Sequence, residues 1–218
     1  MKFPIVTGSL GEKASIVIWT TTPWTLPANL AIAVHPKERY VAQKFTRGEA
    51  SEVFYFDQSL TSAFTTVTGW HPDGETLVPF PGTQIEGIGA QHPFLPRTAI
   101  VLTANFVTMD TGTGAVHIAP GHGDDDYSLG KASSLPILSP VDDHGHYTEE
   151  AGLPNLIGKY VFDANPDIVK LLRDRGMLVA EETYAHSYPY CWRSKTPIIF
   201  RAVEQFFIRI EDLRARAL

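Results

Sequence analysis

The chain has 218 residues, of which 44% are apolar and 19% charged, so it can bury a core and is not a disordered segment. With 18 basic against 24 acidic side chains the formal charge is −6, which argues against a protein that coats nucleic acid by neutralising phosphates. The charge is uneven: residues 1–158 hold 8 basic and 16 acidic side chains, residues 159–218 hold 10 and 8. One cysteine, Cys191, excludes an intramolecular disulfide framework and suits a reducing compartment. No apolar run approaches the roughly 18–20 residues needed to cross a bilayer. The opening MKFPIVTGSLGEKAS has no charged region followed by an apolar one, so a soluble cytoplasmic domain without a membrane partner is expected.

In chain order, the first 120 residues read mostly as strand. Ser15–Trp19, Ala31–Val34, Tyr40–Phe45, Glu52–Phe56 and Thr98–Val107 are short runs rich in β-branched and aromatic residues. Turn material separates them at His35-Pro36, Arg47-Gly48, His71-Pro72-Asp73-Gly74 and Pro79-Phe80-Pro81-Gly82. Ala115–Ala119 is a further short strand, and a helix is expected to start at Asp124–Asp126, where three carboxylates suit the positive end of a helix dipole. The clearest helix is Pro166–Arg175. Asn165 is its expected N-cap, Pro166 its first residue and Gly176 its left-handed stop, with Ile168, Leu171 and Leu172 as the apolar stripe. From about Pro189 the chain turns basic and aromatic, and EQFFIRIEDLRARAL reads as a connector cut from a larger protein. The expected fold class is α+β, predominantly β: a barrel-like antiparallel β core with peripheral helices.

Three constellations could carry chemistry. The first, Trp19-Thr20-Thr21-Thr22-Pro23-Trp24-Thr25, follows the SIVIW strand. Pro23 has no N–H and pushes Thr22 toward an extended conformation, so the strand end presents successive hydroxyls. Such a row suits a sugar or an ester-linked nucleotide; a Thr-rich edge strand with a proline turn fits the same residues. The second runs from Asp110 through Gly112, Gly114, His117 and His122 to Asp126 and Tyr127. A strand, a Gly-rich turn and a helix start would bring His117 and a carboxylate toward one space. His117 stands where a dinucleotide fingerprint needs its third glycine, and a P-loop ending is absent. A metal site from His117, His122, Asp124–Asp126, His144 and His146 has the right ligand types but no fixed ligand spacing, so no metal is assigned. Asp124 and Asp125 fit a solvated helix cap, whereas Asp126 fits a buried role. In the third, His186 to Pro197, serine stands at 194 where a zinc knuckle would need a second cysteine.

WTTTPWTLPANLAIAVHP together with GTGAVHIAPGHGDDDY resembles the two signature segments of the editing insertion (connective peptide 1) of bacterial-type isoleucyl-tRNA synthetases, and HSYPYCWRSKTPIIFRAVEQFFI resembles the segment returning the chain to the synthetase body. The resemblance spans Trp19 to about Ile208. It implies an editing core over 1–185 and a return segment over 186–218. It also implies hydrolysis of Val-tRNA(Ile), and of valyl-adenylate, without a cofactor. The aminoacylated 3′ end of tRNA(Ile) and the remainder of a parent synthetase are the implied partners, and the isolated domain is expected to be a monomer. Residue by residue, Asp126 matches the aspartate that binds the substrate's α-ammonium, and His117 the histidine of the side-chain pocket. Thr20, Thr21 and Thr22 match the peptide that contacts the terminal adenosine and positions water. Thr25 and Asn29 also match site residues, and Trp19 is expected beside the adenine. A metal-dependent hydrolase using the His/Asp cluster and a non-catalytic dock for the tRNA 3′ end are the alternatives.

Overall fold

The computed structural model describes residues 1–7, 14–74, 78–210 and 214. Its strands are β1 (Lys2–Thr7), β2 (Ala14–Val17), β3 (Ala31–Val34), β4 (Arg39–Arg47), β5 (Ala50–Asp57), β6 (His71–Pro72), β7 (Phe80–Pro81), β8 (Gly89–Gln91), β9 (Thr98–Thr103) and β10 (Ala115–Ile118). Its α-helices are α1 (Thr61–Thr68), α2 (Asp124–Ala132) and α3 (Asn165–Asp174). All ten strands join one curled sheet in the order β10-β3-β9-β8-β1-β2-β5-β4-β6, with β7 pairing β4. The barrel-like, mostly antiparallel core with peripheral helices is therefore what the chain builds, with two parallel pairings inside it. β2 runs parallel to β5, and β3 runs parallel to β9. Among the described residues no helix is long and apolar enough to cross a membrane.

Burial follows the strand period. β9 alternates exposed and buried residues over Thr98–Val101, whereas β3, flanked on both sides by β9 and β10, is buried at all four positions. The main core gathers Phe3, Ile16, Trp24, Ile32, Tyr55 and Val101 with Ile168 and Leu172 of α3. A second, aromatic cluster holds Phe45, Phe54, Phe56, Phe64 and Trp70, with Phe56 stacked on Phe64 at 4.9 Å. That cluster explains α1, which the sequence does not announce. TSAFTTVT is a weak helix former, and the helix rests on burial of Phe64 and on Gly69 at φ 66° ending it.

Several boundaries differ from the sequence expectation for physical reasons. The expected strand to Val107 ends at Thr103, because the chain turns once Ala104 N–H has bonded Val34 O at 2.9 Å. The expected strand to Trp19 ends at Val17, short of the threonines. α3 lies where expected and Gly176 is left-handed at φ 67°, but Asn165 is not its N-cap. Ala164, itself helical, precedes the helix without any side-chain cap, and Asn165 Oδ1 accepts instead from Trp24 N–H at 2.9 Å, 141 residues away. Beyond Val179 no described residue forms a regular element save Arg214, and residues 211–213 and 215–218 of the connector lie outside the described residues.

Removing the Asn165 acceptor strands the Trp24 N–H, so Asn165→Ala is expected to destabilise the fold by about 1–3 kcal/mol in urea denaturation. Asn165→Asp should retain the bond and most of the stability. Asn165→Ser, a good helix cap but too short to reach Trp24, should behave like the alanine variant; rescue by serine would mean that capping was the role after all.

Candidate active site

β10 pairs antiparallel with β3 in the register His117↔Ile32, and the pairing is extended by Leu30 N–H donating to Ile118 O at 2.9 Å. The segment before β3 therefore meets the segment after β10, and the two motifs come together. The threonines do not form an extended row. Thr20 Oγ1 accepts from Thr22 N–H at 3.1 Å and lies 3.2 Å from Thr22 Oγ1, which folds the three into a tight turn. Pro23 then opens a 3₁₀ turn, Pro23–Ala28, whose residues Trp24 to Ala28 are buried.

A cleft of about 350 Å³ lies over this turn. Trp19, Thr20, Thr21 and Asp126 line it, with Thr108, Thr111, Asp125 and the Gly112–Val116 segment on the remaining sides. Gly112 and Gly114 both have positive φ, 81° and 72°, and a Cβ on Gly114 would sit 2.6 Å from Asp57 Cβ. Two buried groups hold this glycine turn: Tyr40 Oη donates to Gly114 O at 2.5 Å, and Asp57 N–H donates to Thr113 O at 2.9 Å. Neither Tyr40 nor Asp57 carries a sequence signal for that role, since each meets the turn only through the folded sheet.

Four other expected site residues lie behind the cleft wall. Thr22 O accepts from the Thr25 hydroxyl at 2.9 Å, and Thr25 Oγ1 lies 2.9 Å from His117 Nε2. With the Thr25 proton on Thr22 O, the imidazole is the Nε2–H tautomer donating to Thr25, and Nδ1 is left as a buried lone pair without a partner. His117 thus points away from Val116, which faces the cleft, as strand alternation requires. Burial, then the neighbouring His122, lowers the His117 pKa to about 4, so the ring is neutral. Asn29 is fully buried; its amide donates to Ala31 O at 2.8 Å and it does not reach the cleft. Trp19 stands edge-on to Tyr184 at 5.0 Å and donates from Nε1 to Glu182 at 3.1 Å. With Thr20, Thr21, Gly112 and Thr113 it lines both the cleft and a second, more apolar cavity of about 320 Å³.

Two carboxylates line the cleft, Asp125 exposed and Asp126 half-buried. Asp126 sits in the first turn of α2, and its Oδ2 accepts from Ala119 N–H at 2.9 Å. Burial first, and the adjacent Asp125 more weakly, raise its pKa to about 6 against the lowering effect of that N–H. Among the described residues, no three His, Cys, Asp or Glu side chains converge to hold a metal ion. His117 is engaged with Thr25, His122 Nδ1 donates to Phe200 O at 2.9 Å, and His146 lies beside Asp142. The arrangement offers carboxylates for a cation, threonine hydroxyls and a glycine backbone for a polar ligand, and room for water.

Comparison with known proteins bears on the family and the fold. Residues 8–156 match the family described as leucyl-tRNA synthetase, editing domain. The isoleucine–tRNA ligases of Desulforudis audaxviator, Geobacter sulfurreducens and Kosmotoga olearia are 42%, 46% and 47% identical over 99%, 95% and 93% of this chain. The chain spans only 21–23% of the length of those relatives. Among solved structures, GlLeuRS-CP1 superposes with a TM-score of 0.62 at 14% identity, covering 84% of this chain and 98% of that one. The editing domain of the P. knowlesi cytosolic leucyl-tRNA synthetase gives 0.58 at 12% identity over 75% and 82%. At those identities the likeness is one of fold.

The site also sets the pH dependence of stability. Asp126 has a folded pKa near 6, above its ordinary 3.8, so its ionisation destabilises the fold as pH rises through 6. Asp126→Asn is expected to raise Tm at pH 7.5 by a few degrees and to leave it nearly unchanged near pH 4. His92, His117 and His122 work in the opposite sense. Burial holds them below 6.5, His92 at about 3, so they withdraw stability as pH falls from about 6.5 toward 4. Tm followed by circular dichroism should therefore fall on acidification, and more steeply in Asp126→Asn, which lacks the opposing carboxylate.

Proposed function

We propose that this chain, which belongs to the editing-domain family of the leucyl- and isoleucyl-type tRNA synthetases, hydrolyses the ester of valine misattached to tRNA(Ile), and valyl-adenylate by the same chemistry. The observation that carries the reading is Asp126: a half-buried carboxylate on a hydroxyl-lined cleft, with no salt bridge to it among the described residues. An α-ammonium group fits that position. It supplies the missing opposite charge, draws the carboxyl back to its ionised form, and fixes the ester a few bonds away.

In this mechanism the ester carbonyl faces Thr20 and Thr21, whose hydroxyls orient a water molecule. The water oxygen adds to the carbonyl carbon, the carbon–oxygen ester bond breaks, and the ribose oxygen leaves with a proton. The products are free valine and tRNA with its terminal hydroxyl restored. Positioning and the neighbouring ribose hydroxyl of the substrate provide the rate enhancement, without a protein nucleophile. Trp19 serves the terminal adenosine, and Thr22, Thr25 and Asn29 hold the turn that presents Thr20 and Thr21.

Such a site answers a limit on recognition. One methylene in an apolar pocket is worth about 1–3 kcal/mol, a figure for which isoleucyl-tRNA synthetases are themselves the standard illustration, so a synthetic site cannot reject valine well enough alone. The sieve proposed for this chain is the threonine turn backed by His117. The buried ring behind Thr25 keeps the wall from yielding to the extra methylene of isoleucine. The return segment over 186–218 leads back to a synthetase body that holds the tRNA in the cytoplasm, while the acidic editing core over 1–185 meets only the aminoacylated end.

Single-turnover deacylation by this chain is expected to release valine from Val-tRNA(Ile) and little isoleucine from Ile-tRNA(Ile). Equal rates would remove the sieve, and tight binding without hydrolysis would favour a docking module. Asp126→Ala should lower the valine rate by at least about 100-fold with the fold intact. The wild-type rate should rise with pH through about 6, as Asp126 ionises. His117→Ala should leave a void behind Thr25 and admit isoleucine, raising Ile-tRNA(Ile) hydrolysis in a direct competition.

A further inference from the structure

His122 belongs to neither the cleft nor the sieve, yet it is buried where three separate segments meet. Its Nδ1 lies 2.9 Å from Phe200 O, and because a carbonyl only accepts, Nδ1 carries the proton. Its ring stands edge-on to Trp24 at 5.0 Å, and Trp24 adjoins Thr25 in the 3₁₀ turn. The residue itself lies in the Pro120–Gly123 turn, between Ala119, whose N–H Asp126 accepts, and the start of α2.

The return segment is bound at the same point by a second backbone contact. Ala202 N–H donates to Gly121 O at 2.8 Å, next to His122. Between these two contacts, the Arg201 guanidinium donates to Val141 O at 3.0 Å and meets Asp143. On its far side the turn packs so closely on Leu138 O that a Cβ on Gly121 would sit 2.1 Å from it, so only glycine fits there. Phe200 and Ala202 thus hold the turn that leads into the Asp126 helix, while Arg201 between them ties the return segment to Val141 and Asp143. After Ala202 the chain runs on to Phe206, Phe207, Ile208 and Ile210, all exposed.

We infer that His122 is a positioning residue that makes Phe200–Ala202 part of the editing site, keeping the Asp126 turn in register with the threonine turn. This rests on the editing reading above. The cleft is then not complete in the first 185 residues. A displacement of the return segment, which leads toward the rest of the synthetase, is transmitted to the ammonium-binding carboxylate through one imidazole and one backbone bond.

The test uses the full chain and single-turnover hydrolysis of Val-tRNA(Ile) at a temperature well below every variant's Tm. His122→Phe keeps a ring against Trp24 but loses the donor. His122→Asn keeps a donor close to the position of Nδ1 but loses the ring. Ala202→Pro removes the second contact at a residue that touches no part of the cleft. The expected result is a loss of about 10-fold or more in rate for His122→Phe and for Ala202→Pro, with the double variant no worse than the poorer single one. The loss should appear as weaker half-saturation by substrate, since the ammonium anchor is what shifts. His122→Asn should recover most of the activity, which a general packing role for the ring would not allow. Wild-type rates in both His122→Phe and Ala202→Pro would overturn the inference and leave the editing reading standing. A wild-type chain unable to hydrolyse Val-tRNA(Ile) would overturn both.

Discussion

The antiparallel pairing of β3 with β10 is the constraint on which the site depends. In an antiparallel pair the start of one strand lies beside the end of the other, so whatever precedes β3 is brought against whatever follows β10. Here that means the threonine turn, Thr20–Thr25, against His117 and the Asp126 turn, which lie roughly a hundred residues further along the chain. The register His117↔Ile32 then fixes which side chains face each other, since a slip of one residue would turn His117 to the opposite face. β9 on the other flank of β3, running parallel to it, buries the pair and leaves it little freedom to shift.

The groups gathered by that pairing are expensive to hold. Asp126 is partly stripped of water with a single backbone donor as compensation, and His117 keeps an unpartnered nitrogen in the interior. Neither arrangement serves stability. Both make sense if a ligand supplies what is missing, a cation for the carboxylate in particular. Around them the backbone is held by hydrogen bonds from buried side chains. His92 donates from Nε2 to Leu26 O and accepts at Nδ1 from Phe94 and Leu95 N–H; Tyr147 Oη donates to Trp24 O; Asn165 accepts from Trp24 N–H. All three act on the 3₁₀ turn that follows the threonines, or on the loop packed against it.

Acidity and nucleic acid are reconciled by the same geometry. A carboxylate-rich surface resists wrapping a phosphate backbone, and this chain offers a cleft, not a basic groove. Under the proposed function, a carboxylate that meets an ammonium is compatible with a tRNA substrate, because only the aminoacylated end enters. In the proposed function the rest of the tRNA is held by the remainder of a synthetase; the chain spans less than a quarter of the length of its relatives.

Local chemistry by itself determined a good part of this protein. Runs of β-branched and aromatic residues located β3, β4 and β5, the acidic triplet located the start of α2, and Pro166 with Gly176 bracketed α3 within a residue or so. Those features depend on neighbours a few residues apart, so a sequence displays them. The threonine and glycine–aspartate motifs were equally visible as strings. Tertiary structure alone decided which of their members face the cleft. Thr20, Thr21 and Asp126 line it, whereas Thr25, Asn29 and His117 turn inward to bond one another or the backbone. It also decided that Asn165 serves Trp24 instead of its own helix, that α1 forms at all, and that Phe200 closes on His122. The physical reason is common to all of these. A side chain's partner is set by strand register and by contacts 78 to 141 residues away, and neither leaves a mark on the residues that flank it.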